Sequence, residues 1–282
     1  MAELERKPRT AAIGTFDGVH LGHRRVLDTA LAAGGTPTAV TFDPHPRTVL
    51  GNHVGLISSP QRRLELLVEA GIEDVLVVEF TPEIAALPPE AFAEQTLRAI
   101  GAEVVVAGAD FRFGRKRSGD LDLLRGLGFD VRPVPLVERV SSSEIRNLLT
   151  AGEIERAAEG LGRPPELDGI VVSGEARGGT LGFPTANLRV DPNLLVPEYG
   201  IYAGYAEGTR AAISIGTNPH YGGQERRIEA FLLDFHGDLY GRRLVVELWR
   251  RLRDERAFAS EGELVEQIAR DVEQTRTAVR PV

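Results

Sequence analysis

"TAAIGTFDGVHLGH", Thr10 to His23, decides the fold of the first half of this chain. "TAAI" is a short apolar run of the kind that forms a buried strand. The next ten residues, Gly14 to His23, hold three glycines, one aspartate and two histidines. From position 20 to 33 the spacing predicts a helix, with Val26, Leu27 and Ala30 on one face. Strand, glycine loop and helix start make the opening of an α/β unit. Glycines let a backbone approach an anion closely, and the free N–H groups and positive dipole at a helix N-terminus suit phosphate. His20 and His23 are three apart and so share one face of the helix start. Two imidazoles there can donate to phosphate oxygens as charge develops on a leaving pyrophosphate. On the motif alone three readings stay open: an accidental surface pair, a metal pair that would have to recruit His45 from another loop, and a phosphate site.

Reading outward, the same rhythm repeats. Strands are expected at 38–42, 74–80 and 103–108, and helices at 59–71 and 88–101. Ser59 is the expected cap of the first of these helices, with Pro60 in its first turn and Gly71 at its end. Residues 130–137 carry prolines and read as an edge strand. Alternation of strand and helix implies a parallel sheet covered by helices. Ligands bind such sheets beyond the carboxyl ends of the strands. Residues 14–23, 43–46 and 108–114 all follow strand ends and are expected to converge on one edge. Beyond a helix at 143–160 the rhythm changes. "LGRPPELDG" (161–169) reads as a joint, followed by short strands in "GIVVSG", "GIYAGYAEG", "TRAAISIG", "RRIEAFLLDF" and "RRLVVELWRRLR". With few crossover helices between them, these predict a small antiparallel β-barrel, closed by an amphipathic helix at 261–276. The expected domains are 1–163 and 164–282.

Composition narrows the function classes. The 282 residues are 42% hydrophobic and 26% charged, enough for two domains with real cores. A formal net charge of −8 gives no global support for a nucleic-acid or membrane-surface role. With no cysteine there is no disulfide, thiolate chemistry or cysteine-held metal, which fits a cytoplasmic setting. The N-terminus is charged and lacks the apolar core of a signal peptide, and no run reaches the roughly 18–20 apolar residues that span a bilayer. Lys7 and Lys116 are the only lysines, so a phosphate clamp must use arginine, histidine or backbone N–H.

Three further constellations carry chemistry. In "SSSEIRNLL" (141–149), Ser142 or Ser143 can cap a helix, and Arg146 in its first turn opposes the helix dipole unless an anion partners it. "GEARGGTLGFPTAN" (174–187) is a glycine-rich loop ending in Thr185 and Asn187, whose neutral oxygens suit a hard cation such as magnesium; a hairpin with an Asn turn is the alternative. In "RRIEAFLLDF", Glu229 alternates with Ile228 and Ala230. On the inner side of a barrel strand a carboxylate needs a partner or a job; the pattern equally allows the exterior. Neither a G-x-x-x-x-G-K-[ST] P-loop nor a G-x-G-x-x-G fingerprint is present.

Together these motifs, with "TFDPHP" (41–46), "GADFRFG" (108–114), "LGFPTANL" (181–188), "YGIYAGY" (199–205), "IGTNPHYGG" (215–223), "LYG" (239–241) and "DERAFAS" (254–260), resemble the bifunctional bacterial riboflavin kinase/FMN adenylyltransferase family over nearly the whole chain. The resemblance implies a Rossmann-like nucleotidyltransferase domain that joins FMN to the AMP part of ATP, and a barrel domain that phosphorylates riboflavin. It implies ATP, riboflavin, FMN and FAD as substrates and products, magnesium as the metal, and a cytoplasmic protein working on small molecules, without nucleic acid or membrane partners. Carried over by position, His20, His23 and Arg146 would be catalytic in adenylyl transfer, and Glu229 would be the base toward the riboflavin 5′-hydroxyl. Gly14, Phe16, Asp17, Gly18 and Ser142 would bind ATP in the first domain, and Gly174, Arg177, Gly178, Gly182 and Thr185 in the second. Asp43, Asp110 and Phe111 would meet the flavin, and Thr185 and Asn187 the magnesium. Gly179 stands where the family often has arginine, His220 and Tyr221 replace a more usual Thr–Phe pair, and the stretch before Ser141 is shorter than usual. Two other readings remain open on sequence: an enzyme with one live domain, and a flavin- or nucleotide-binding regulator.

Overall fold

A computed structural model describes residues 4–174, 183–217 and 226–282. The chain forms two compact units, one of residues 1–56 and 60–142, the other of residues 57–59 and 143–282.

The first unit is built on strands β1 (Arg9–Ile13), β2 (Thr36–Asp43), β3 (Asp74–Glu79), β4 (Ala102–Gly108) and β5 (Asp130–Val134). They form a parallel sheet in the order β3-β2-β1-β4-β5, with the proline-bearing β5 at the edge, as its composition requires. The helices are α1 (Leu21–Ala32), the short α2 (Pro46–Val49), α3 (Pro60–Glu69), α4 (Pro82–Ala86), α5 (Pro89–Phe92) and α6 (Leu121–Gly126). The helix expected over 88–101 is α5 continued by a π-helical segment, Ala93–Arg98. Both faces of the sheet are buried, which is why its strands read as continuous apolar runs. Ala12, Ala39 and Val106 pack with α1 and α3 residues such as Leu27 and Leu67. Ala11, Ile13, Val40 and Val105 pack on the other face with Phe92, Leu97 and Leu124. At the amino ends of the strands, buried Arg9 donates to Ile100 O (3.0 Å), Thr38 Oγ1 (2.9 Å), Glu5 O (2.8 Å) and the Asp74 carboxylate. Arg9 first, and then Lys7, hold the Asp74 carboxyl below the usual carboxylate range.

The second unit contains α7 (Ser142–Thr150, whose first residue belongs to the first unit), α8 (Ile154–Leu161), β6 (Glu166–Val172), β7 (Ala186–Val190), β8 (Gly200–Ala206), β9 (Thr209–Thr217), β10 (Arg226–Leu232), β11 (Arg243–Arg253) and α9 (Glu261–Thr277). The six strands close an antiparallel barrel in the order β10-β7-β6-β11-β8-β9. Strand β7 falls where the sequence suggests a loop with an Asn turn. The closing helix α9 buries Gln267, Asp271 and Thr275, a polar face rather than an apolar one, and Asp271 is gripped by Arg253 (3.1 and 2.8 Å).

One expectation is corrected here. Residues 143–160 are two helices, parted where Gly152 takes φ +72°. Ser59 donates its hydroxyl to the buried Asp168 carboxylate (2.8 Å), which Arg243 also holds. The compact units divide at Ser142/Ser143, so that α8 and nearly all of α7, which precede the proline joint, belong with the barrel. The reason is apolar: Ile145, Leu148, Leu149, Ile154, Ala157 and Leu161 share one buried cluster with barrel residues such as Leu167 and Val246, and α8 packs on β11. A fragment beginning at Ser143 should therefore melt higher than one beginning at Pro164. Each buried Leu or Ile side chain contributes about 1.5–3 kcal/mol, and several are lost, so the midpoint should drop by at least about 10 °C. Equal midpoints by circular dichroism would mean that α7 and α8 do not support the barrel.

Candidate functional site

At the first unit's carboxyl edge, residues 14–20 follow β1, residues 44–45 follow β2 and residues 109–120 follow β4. The order β2-β1-β4 makes these three connections neighbours, at the point where strand order reverses. The sequence expectation of one convergent edge holds. The β1 connection is conformationally unusual: Phe16 (φ 49°), Gly18 (φ 77°) and Val19 (φ 38°) all lie in the left-handed region. A β-branched residue there is a true outlier, and such outliers gather at functional sites. The loop is anchored by Thr15, whose carbonyl accepts from Thr41 Oγ1 (3.0 Å) and Arg63 Nη1 (3.4 Å). Phe16 and Asp17 are buried, and Gly14 lies against the Phe16 ring, where a Cβ would come within 3.2 Å.

His20 is the N-cap of α1, and its Nδ1 accepts from the His23 N–H (3.3 Å). Since Nδ1 accepts, the neutral ring carries its proton on Nε2, which is the donor it has to offer. The two imidazoles stack, centroids 3.6 Å apart and 15° between planes, with Phe16 edge-on to His23 at 5.3 Å. His45 caps α2 instead, accepting from Arg47 N (3.2 Å). Among the described residues no group of three or more His, Cys, Asp or Glu is placed to hold a metal.

Asp43 ends β2 and is paired with Arg63 (3.3 Å). Asp110 is exposed after β4, and its Oδ1 lies beside Gly108. Phe111 stacks on Phe113 (5.6 Å), which leads through Phe92 to Phe42. Ser142 opens α7 rather than capping it, and its hydroxyl reaches the Asp17 carbonyl at 3.5 Å. Arg146 sits one position past the first turn, not within it; it shares a face of α7 with Ser142 and belongs to the second unit. Residues missed from sequence are Arg63, Thr15 and Thr41. Arg63 had a signal: an arginine on the same stripe of α3 as buried Leu66 and Leu67.

In the second unit Ile228, Ala230 and Leu232 fill the barrel core, so Glu229 is on the outer face with Arg227 and Phe231. The inner-side reading is overturned by the direction of alternation. Strand register places Glu229 directly across from Asn187 on β7 and Ser214 on β9. Arg227 pairs with the Glu229 carboxylate at 3.2 Å. Phe183 packs edge-on against Phe231 (5.4 Å), which lays the segment carrying Thr185 along the same face. A cavity of about 540 Å³ opens beside Asn187, lined also by Ser173, Gly174, Arg226, Arg227 and the inward-facing Ile228. That volume is ordinary for a small-molecule site. The Asn187 amide lies against Gly174 so closely that a Cβ would sit 2.2 Å from Nδ2. Arg177, Gly178, Gly179, Gly182, His220 and Tyr221 lie outside the described residues.

A family model described as FAD synthetase matches residues 3–146, and one described as riboflavin kinase matches residues 161–279. The bifunctional riboflavin kinase/FMN adenylyltransferase of Listeria monocytogenes is 36% identical over 287 residues, covering 95% of this chain and 91% of that one. The chain belongs to the bifunctional riboflavin kinase/FMN adenylyltransferase family. The Escherichia coli member is also 36% identical, over 92% of this chain and 89% of its own. A crystal structure from Streptococcus pneumoniae, described as a macrolide-efflux protein, superposes with a TM-score of 0.88 at 31% identity, covering 97% of this chain and 95% of that one. Among the described residues no helix is long and apolar enough to cross a membrane.

For a family member of this geometry, Gly174→Ala should slow FMN formation by displacing Asn187, with little change in FAD formation from supplied FMN. The check is chromatography of both products. An unaltered kinase rate would show that the Asn187 position is unimportant.

Proposed function

We propose that the two activities of the family are divided between the halves of this chain: adenylyl transfer in residues 1–163 and riboflavin phosphorylation in residues 164–282. As a member of the family the chain is a riboflavin kinase and FMN adenylyltransferase, and it makes FMN and FAD.

For the first reaction, the observation that carries the reading is the register of Glu229 with Asn187 beside a cavity. Glu229 takes the proton of the riboflavin 5′-hydroxyl as that oxygen bonds to the γ-phosphorus of ATP and the bond to ADP breaks. Arg227, 3.2 Å from the carboxylate, keeps it aligned. Thr185 and Asn187 would hold magnesium: they offer neutral hard oxygens next to a carboxylate and leave positions for phosphate and water, as magnesium prefers. Bound there, the ion would offset phosphate charge.

In the second reaction a phosphate oxygen of FMN bonds to the α-phosphorus of ATP and pyrophosphate leaves. His20 and His23, at the N-terminus of α1, supply donors where charge accumulates. The loop of Phe16, Asp17 and Gly18, together with Ser142, presents backbone and hydroxyl donors. Arg146 is the remaining catalytic candidate for this transfer. Asp43, Asp110 and Phe111 receive the flavin. Both reactions act on small molecules in the cytoplasm.

Glu229→Gln should lower FMN formation by about 10²–10⁴-fold, the usual contribution of a positioned base, while FAD formation from supplied FMN continues. Product chromatography reads both, and parental kinase activity in the variant would exclude Glu229 as the base. The converse variant, His20→Ala with His23→Ala, should accumulate FMN and lose FAD, with a loss of about 3 kcal/mol per donor. Undiminished pyrophosphate release would place adenylyl transfer elsewhere.

A further inference from the structure

We infer that Arg63 is a positioning residue for adenylyl transfer, its one guanidinium fixing the β1 connection and the Asp43 carboxylate together. The inference rests on the reading that the His20 connection forms the adenylyltransferase site. Arg63 is on α3, in the stripe that buries Leu66 and Leu67, and its side chain is 2% exposed. A leucine would suit that stripe better. Burying a charge costs stability unless it is well paired, and apolar replacements of buried ion pairs are often neutral or stabilising. The pairing of Arg63 is not of the strong kind. Its salt bridge is a single 3.3 Å contact to a carboxylate that is 42% exposed, and its buried Nε has no hydrogen-bond partner among the described residues. Core stability therefore does not account for it.

What the guanidinium does have is reach. Nη1 donates to Thr15 O (3.4 Å), and Nη2 to Asp43 Oδ1 (3.3 Å). Thr15 directly precedes Phe16, the first left-handed residue of the connection that ends on the His20 cap. Asp43 closes the neighbouring strand. A planar fork spaces two donors rigidly, which a lysine cannot do. Arg63 thus sets the distance between the loop that presents the imidazoles and the carboxylate at the mouth of the next strand.

The test uses the full chain with Arg63→Met and Arg63→Lys, assayed for FAD formation from supplied FMN. FMN formation from riboflavin serves as the internal standard, with thermal midpoints measured alongside. Arg63→Met should lower kcat for FAD about 10²-fold, the effect of misplacing reacting groups by about an ångström, with KM for ATP within a few-fold of the parent and FMN formation unchanged. Arg63→Lys keeps the charge and loses the fork, so it should recover less than tenfold of that loss. If Arg63→Met does not fold, Arg63→Lys decides alone: at least a tenfold lower kcat supports the inference, and a parental kcat overturns it. A lower melting point with parental kcat in either folded variant would make Arg63 structural only. The double histidine variant, run in parallel, separates the two claims. If it retains FAD formation, the site reading has failed; if it loses FAD while Arg63→Met does not, only the role of Arg63 has.

Discussion

The first unit depends on a seven-residue connection, Gly14 to His20, that must leave the central strand and enter α1 with its N-terminus facing the sheet's carboxyl edge. The chain manages this by taking three residues into the left-handed region, one of them a valine. That conformation is costly and persists only when its surroundings over-determine it. Here the surroundings are visible. The Thr15 carbonyl takes two donors from neighbouring elements, the Phe16 ring is buried against Gly14, and His20 ends the loop as a cap whose ring also stacks on His23. The strained backbone and the paired imidazoles thus belong to one connection: the residues that bend the chain also set the direction of the His20 cap.

The barrel solves a different problem. Its core is filled by alternate residues of six strands, and Glu229 is left on the outer face. Glu229, Asn187 and Ser214 meet there through register alone, three strands contributing one residue each. The close approach of Asn187 to Gly174 shows how little freedom remains. The helices α7 and α8 extend the same core, so the compact unit begins well ahead of the proline joint.

Much of this was legible in the sequence because it is local. Apolar runs bounded by glycine loops gave the strands of the parallel sheet, prolines gave the edge position of β5, and the loss of crossover helices gave the barrel. His20 and His23 are three apart, so any helix beginning there brings them together. Ten motifs in order carried the family. Strand β7 was hidden because "TANLRV" has the polar residues of a turn, and it is a strand only because β6 and β10 lie on either side to pair with it.

Other features required the tertiary structure. Alternation in "RRIEAFLL" fixes which residues share a face but not which face is inside; closure of the barrel decided that Ile228 is in and Glu229 out. The proline joint was visible as a change of rhythm, yet apolar contact between α8 and β11 placed the compact boundary earlier. Arg63 is 48 residues from Thr15 and 20 from Asp43. The helical stripe showed it as an arginine among leucines, but the acceptors that explain it come from other elements. Sequence periodicity determines which side chains travel together, because it reflects local backbone geometry. What they face is set by strand order and register, which depend on the whole chain.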